Sequence, residues 1–147
     1  MRTVLVIGLL SLFVACGGKA KGPDQPPSDG NPLFARLGGQ PAINAVVDEF
    51  VEVTGNDPRI SVFFTNVDKE KLKQSMYVHV CAITGGGCKY EGKSMVEAHT
   101  GMKVTKPDFD AFIDDLVKTL AKLKVPERET NEVLAAFKGM EADVVGH

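Results

Sequence analysis

The coordinating side chains of this 147-residue sequence are few: three histidines, three cysteines and four methionines beyond the initiator. His99 closes the stretch Met95-Val-Glu-Ala-His and is followed by Thr100-Gly101. A neutral imidazole in that place offers one nitrogen to a metal while the other donates a hydrogen bond. The same residue at the end of a short helix also serves simply as packing or as an exposed polar group. Upstream, Met76 and His79 fall one helical turn apart, a soft thioether beside a second imidazole. Cys81 and Cys88 flank Gly85-Gly86-Gly87. His79, Cys81, Cys88 and His99 have the residue types of a zinc site, but their spacing is irregular. His79 and Cys81 would also diverge on a helix, which argues against that set. His147, at the end of the chain, is expected to be exposed and without a role. No hydrolytic triad and no phosphate-cradling loop is present, so those chemistries are excluded.

Apolar spacing shows which elements must position these groups. Ile43, Val46, Val47 and Phe50 follow i, i+3, i+4, i+7, the signature of one helix face. Leu72, Met76, His79 and Ile83 form a second stripe, which the three glycines end. Phe109, Phe112, Ile113, Leu116, Val117 and Leu120 form the strongest one, and Thr105-x-Pro107-Asp108 reads as its start. Pro126 opens a last helix expected to carry Val133, Leu134, Phe137 and Met140 inward. No segment alternates as a strand does and no internal repeat is seen. The expectation is one all-α domain over 33–147, with about five main helices joined by glycine-rich turns.

The N-terminus sets the compartment. Arg2 precedes an apolar run from Val4 to Ala15, which is too short to span a bilayer, for which about 20 residues are needed. The layout is that of a secretory leader over 1–15. Phe13-Val-Ala-Cys16 resembles the lipobox of bacterial lipoproteins, with phenylalanine where leucine is usual, so Cys16 is the expected lipid-bearing residue. An uncleaved anchor or a plain leader is the alternative. Residues 16–32, rich in Gly, Pro and Ser, read as a flexible tether. Gly17 after the lipidated cysteine points to the outer membrane, with the domain on the periplasmic side of the cell envelope. The chain has 17 basic and 19 acidic residues, a net charge of −2. There is no basic block, so nucleic acid is not expected as a partner. In an oxidising compartment Cys81 and Cys88 are expected to pair, with two free thiols as the alternative.

Leu33-Phe-Ala-Arg-Leu-Gly-Gly39, the Phe63-Phe64 pair, the glycine-rich break, Tyr90-x-Gly92 and Met95-x-x-x-His99 together resemble the group I truncated haemoglobins. The similarity runs from Leu33 to about Phe137. It implies a two-over-two helical sandwich enclosing haem, with His99 matching the imidazole that binds the iron. The slot for so large an apolar plate would be lined by Phe50, Phe63, Phe64, Leu72, Met95, Val104, Phe109, Phe112 and Leu116. Each of these is also a plain core residue in a protein that binds nothing. Phe64 matches the residue wedged against the haem face, and Tyr90 the tyrosine beside a propionate. Without Cys-x-x-Cys-His, the cofactor implied is non-covalent haem b.

The sequence departs from that family on the side where gas binds. Val51 stands where oxygen-binding members place a tyrosine, and Leu72 and Met76 where they often have glutamine. Loss of such a donor costs about 1.5–3 kcal/mol of hydrogen bonding to bound oxygen, ten-fold or more in affinity. Met76 is then a candidate sixth ligand opposite His99, or merely apolar filling; His79 is a third possibility. Three functions stay open: a redox or electron-transfer haem protein at the envelope, a five-coordinate binder of oxygen, nitric oxide or carbon monoxide for gas transport, sensing or detoxification, and a helical scaffold without haem. Any nitric oxide dioxygenase or peroxidase-like activity would be weak. The expected partners are a diatomic gas or a redox protein, and the membrane through the lipid anchor, with the chain itself a monomer.

Overall fold

A computed structural model describes residues 31–147, so the expected leader, the expected lipid-bearing Cys16 and most of the expected tether lie outside the described residues. Seven α-helices follow one another: α1 (Leu33–Arg36), α2 (Gly39–Asn56), α3 (Lys69–Ile83), α4 (Met95–His99), α5 (Lys106–Lys122), α6 (Glu127–Lys138) and α7 (Glu141–Val144), with a 3₁₀ turn at Ser61–Phe64 after α2. No strand occurs among the described residues. α2 packs on both α3 and α5, and α5 on α6, giving two helix pairs laid across each other. Among the described residues no helix is long and apolar enough to cross a membrane.

Local chemistry accounts for the main boundaries. α5 begins at a reciprocal cap: the Asp108 main-chain N–H donates to the Thr105 hydroxyl, and the Thr105 N–H donates to the Asp108 carboxylate at 2.9 Å. Ser94 and Glu97 form the same box at the start of α4. α2 opens at Gly38, whose φ of +102° and a Cβ position only 3.0 Å from Ala42 both call for glycine. α3 ends where the Thr84 hydroxyl donates back to the Val80 carbonyl at 2.6 Å. Gly86 then passes so close that a Cβ would stand 2.5 Å from the Phe34 ring and 2.6 Å from Cys81 Sγ.

Burial follows the stripes, with three differences. Val117 and Ile83 were expected inward but stand on the outer arc, 41% and 36% exposed. Met140 is not part of the last long helix. α6 stops at Lys138, Gly139 caps it, and Met140 starts the separate turn α7. That turn is pinned from afar: Gly146 N–H donates to Val104 O at 3.0 Å, and Lys103 N–H to His147 O at 2.9 Å. His147 thus has a structural part after all, and its Nε2 also lies 3.1 Å from Ala142 O.

Cys81 and Cys88 are joined as a disulfide, with Cα atoms 5.6 Å apart. Closing so short a loop restricts the unfolded chain by about 2–3 kcal/mol. Cys88→Ser is therefore expected to lower the unfolding free energy by about that amount. A urea titration without reductant measures it, with the wild type in dithiol falling to the same midpoint.

Candidate functional site

A cavity of ≈ 440 Å³ opens between α3, α4 and α5, within the size range of cofactor sites, about 300–1,000 Å³. α3 turns Leu72, Ser75, Met76, His79 and Val80 toward it. α4 contributes Met95, Ala98 and His99, and α5 contributes Asp108, Phe109 and Phe112. Ile60, Phe63, Phe64 and Val67 close one side, and Phe137, Met140 and Val144 another. The aromatic wall is continuous: Phe112 stacks on Phe109 at 6.2 Å between centroids and leans on Phe137 at 5.9 Å.

Most residues expected at the site meet there: Phe63, Phe64, Leu72, Met76, His79, Tyr90, Met95, Val104, Phe109, Phe112 and His99. Three do not. Phe50 and Leu116 lie together in a buried cluster with Leu120 and Val133, and Val51 lies in another with Ile43, Val47 and Val80. Their role is to back the wall. Phe50 meets Phe112 edge-on at 4.8 Å, and Met76 packs against both clusters. Leu116 is one turn beyond Phe112, where α5 has already passed the cavity and faces α6.

The His99 imidazole is oriented by its own helix. Nδ1 is 2.7 Å from the Met95 main-chain oxygen. A carbonyl only accepts, so the contact assigns a proton to Nδ1, and in the neutral ring Nε2 is then the nitrogen with the lone pair that a metal requires. Such an outer bond fixes ring direction and raises ligand basicity.

His79 is a different case. Neither ring nitrogen has a hydrogen-bond partner, and the ring meets Tyr90 edge-on at 4.9 Å between centroids. Burial pushes its pKa below the ordinary 6.5. The unfolded chain therefore binds a proton near 6.5 that the folded chain refuses until lower pH. Stability is complete above that value and falls as pH drops through it. His79→Phe is expected to remove this slope, which denaturant unfolding of the haem-free protein between about pH 7 and pH 5 would measure.

Tyr90 was expected beside a propionate. Its hydroxyl donates to the Lys93 main-chain oxygen at 2.9 Å, and the ring folds over Gly92, where a Cβ would stand 2.5 Å from the phenol oxygen. Lys93, which sequence reasoning passed over, lines the cavity and makes no ion pair among the described residues; its charge only lowers the pKa of nearby Glu97, behind the Ser94 hydrogen bonds. A cation so placed suits a carboxylate at the cavity edge. No cluster of His, Cys, Asp and Glu that could hold a metal ion by itself occurs among the described residues, so the zinc set is not assembled. An apolar slot with one oriented imidazole and one free cation at its rim fits a flat, dianionic iron porphyrin.

Fold and cavity together define a small helical globin. Residues 32–145 match the model of the family described as bacterial-like globin. The chain belongs to that family, within the group 1 truncated haemoglobins. It is 32% identical over 114 residues to the group 1 truncated haemoglobin of Tetrahymena pyriformis, covering 78% of this chain and 94% of that one. It is 36% identical over 107 residues to that of Synechocystis, covering 70% of this chain and 86% of that one. The crystal structure of the Tetrahymena pyriformis protein in its Fe(III) form superposes with a TM-score of 0.76, at 32% identity, over 80% of this chain and all of the other.

Proposed function

We propose that this chain is a haem b-binding truncated globin whose iron is held by His99 and Met76, suited to redox or electron-transfer chemistry at the cell envelope. The observation that carries the reading is the Met95 carbonyl on His99 Nδ1, which leaves Nε2 aimed for coordination. Haem, when bound, supplies a one-electron iron couple and a place for a diatomic ligand. The chain's own residues do the rest. Phe63, Phe64, Phe109 and Phe112 exclude water, and Lys93 offers its charge to a propionate. The Met76 thioether faces the same cavity from another helix and favours reduced iron. Similarity to proteins named haemoglobins supports the cofactor.

The anchor belongs to the same proposal. The leader at 1–15, Cys16 as the acylated residue and the tether would place the domain on the periplasmic side, at the outer membrane, as a monomer meeting a redox partner. An oxidising periplasm would keep Cys81 and Cys88 paired. Labelled fatty acid incorporated by the wild type and lost in Cys16→Ala would support this, and equal labelling would remove it.

Ser75 favours a second reading, because it brings a hydroxyl to the cavity wall beside Met76. There the iron is five-coordinate and binds oxygen, nitric oxide or carbon monoxide, with weak dioxygenase or peroxidase-like turnover. Ferric and ferrous absorption spectra of the haem-loaded full chain decide. Six-coordinate low-spin bands in both states support an internal sixth ligand, which their loss in Met76→Ala assigns to Met76, and high-spin bands support the gas binder. A chain that takes up no haem ends both readings and leaves the helical scaffold.

A further inference from the structure

The segment 87–93 walls one edge of the cavity with Tyr90, Gly92 and Lys93, yet none of its main-chain groups hydrogen-bonds to the rest of the described protein. Its polar contacts are internal: Tyr90 to the Lys93 carbonyl and Lys89 to Glu91. Besides its peptide link to Gly86, whose N–H donates to the Cys81 carbonyl at 2.7 Å, two attachments tie it to α3 among the described residues. One is the Cys81–Cys88 disulfide, and the other is the Tyr90 ring against His79, two residues before Cys81. The wall therefore rests on one covalent bond and one ring contact that the bond keeps in register. Segments with so few anchors open at low free energy.

We propose that the Cys81–Cys88 disulfide is a redox latch on the cavity, whose reduction frees residues 87–93 to swing off α3 and lets bound haem leave. Cys88 is half-buried and Cys81 fully buried, so attack falls on Cys88 Sγ. A dithiol reductant, protein or small molecule, supplies the electrons. Its thiolate bonds to Cys88 Sγ, the S–S bond breaks, and Cys81 leaves as a thiolate that takes a proton from water. The reductant's second thiol, deprotonated, then displaces Cys88, which is protonated in turn. Two cysteine thiols and an oxidised reductant result. Beyond Gly86, the segment then keeps only the Tyr90–His79 contact, and the entropy of a free loop works against it. Cofactor retention is thereby tied to the thiol–disulfide poise around the protein.

The latch rests on the haem reading, and the test separates the two. The ferric haem-loaded full chain is mixed with excess haem-scavenging apoglobin, with and without dithiothreitol, and release is followed at the Soret band. Release is expected to be roughly ten-fold faster after reduction. Cys88→Ser is expected to release at the fast rate in either condition, which also corrects for any direct action of the thiol on haem. Trypsin cleavage after Lys89 and Lys93, both exposed in this segment, should speed up on reduction in the haem-free chain as well. Equal release rates for the oxidised and reduced wild type overturn the latch and leave the haem reading standing. A chain that takes up no haem in either state removes both.

Discussion

His99→Ala is expected to abolish tight haem retention. Removing even the outer partner of a metal-bound histidine costs about 10–100-fold in affinity, so removing the ligand itself costs at least the upper end of that range. The fold should survive, because the ring is only half-buried and its one hydrogen bond, to the Met95 carbonyl, is local to its own helix turn. Haemin titration checks both points: the wild type gives a sharp Soret band at one equivalent, and the alanine variant a broad one that an apoglobin scavenger removes at once. Circular dichroism of the haem-free forms should be the same. Added imidazole should restore part of the band in the variant by filling the vacated position. A variant that retained haem with unchanged ligation would mean that the iron is held elsewhere, with His79 as the imidazole left to hold it.

Caps and stripes are where the sequence was most readable, for a physical reason. The Thr105–Asp108 cap depends on side chains three residues apart, so the start of α5 is written locally. The same holds for Pro126 before α6. Val117 marks the limit of such patterns: a valine at helical spacing can stand on the outer arc as easily as on the core side. Phe50 and Leu116 show another limit. Periodicity says that a side is buried but not what buries it, and here the two cover each other within one cluster rather than facing the cavity. The separation of α7 from α6 depends on main-chain bonds from residues 103–104 to the chain's end, which no local signal carries. Lys93 was invisible for a related reason. A lysine in a polar loop is ordinary, and only the folded arrangement shows it at the cavity rim and in no ion pair among the described residues. The disulfide was legible from the cysteine spacing, whereas the dependence of the 87–93 wall on it was not.

Met76→Ala is expected to have the second large effect, on ligand binding rather than on cofactor retention. The thioether packs against the clusters built on Val51 and on Phe50, so the helix presents it to the cavity from a braced position. An internal ligand that occupies the iron about 99% of the time leaves about 1% competent to bind, which weakens apparent affinity about 100-fold. Alanine removes that competition. Carbon monoxide should then bind the ferrous variant about 100-fold more tightly than the wild type, and the ferric spectrum should change from low-spin to high-spin. Met76→Leu separates coordination from packing, since it keeps the apolar volume and discards the sulfur. If sulfur is the ligand, leucine behaves as alanine does in the spectrum while losing less stability, because a Met→Ala truncation in a core costs about 2–5 kcal/mol and a volume-conserving swap under about 1.5 kcal/mol. Low-spin bands that persist in both variants would transfer the sixth position to His79, and His79→Phe in the Met76→Ala background would then have to abolish them. High-spin bands already present in the wild type would return the protein to the five-coordinate reading, with Ser75 as the hydroxyl that α3 brings to the cavity wall.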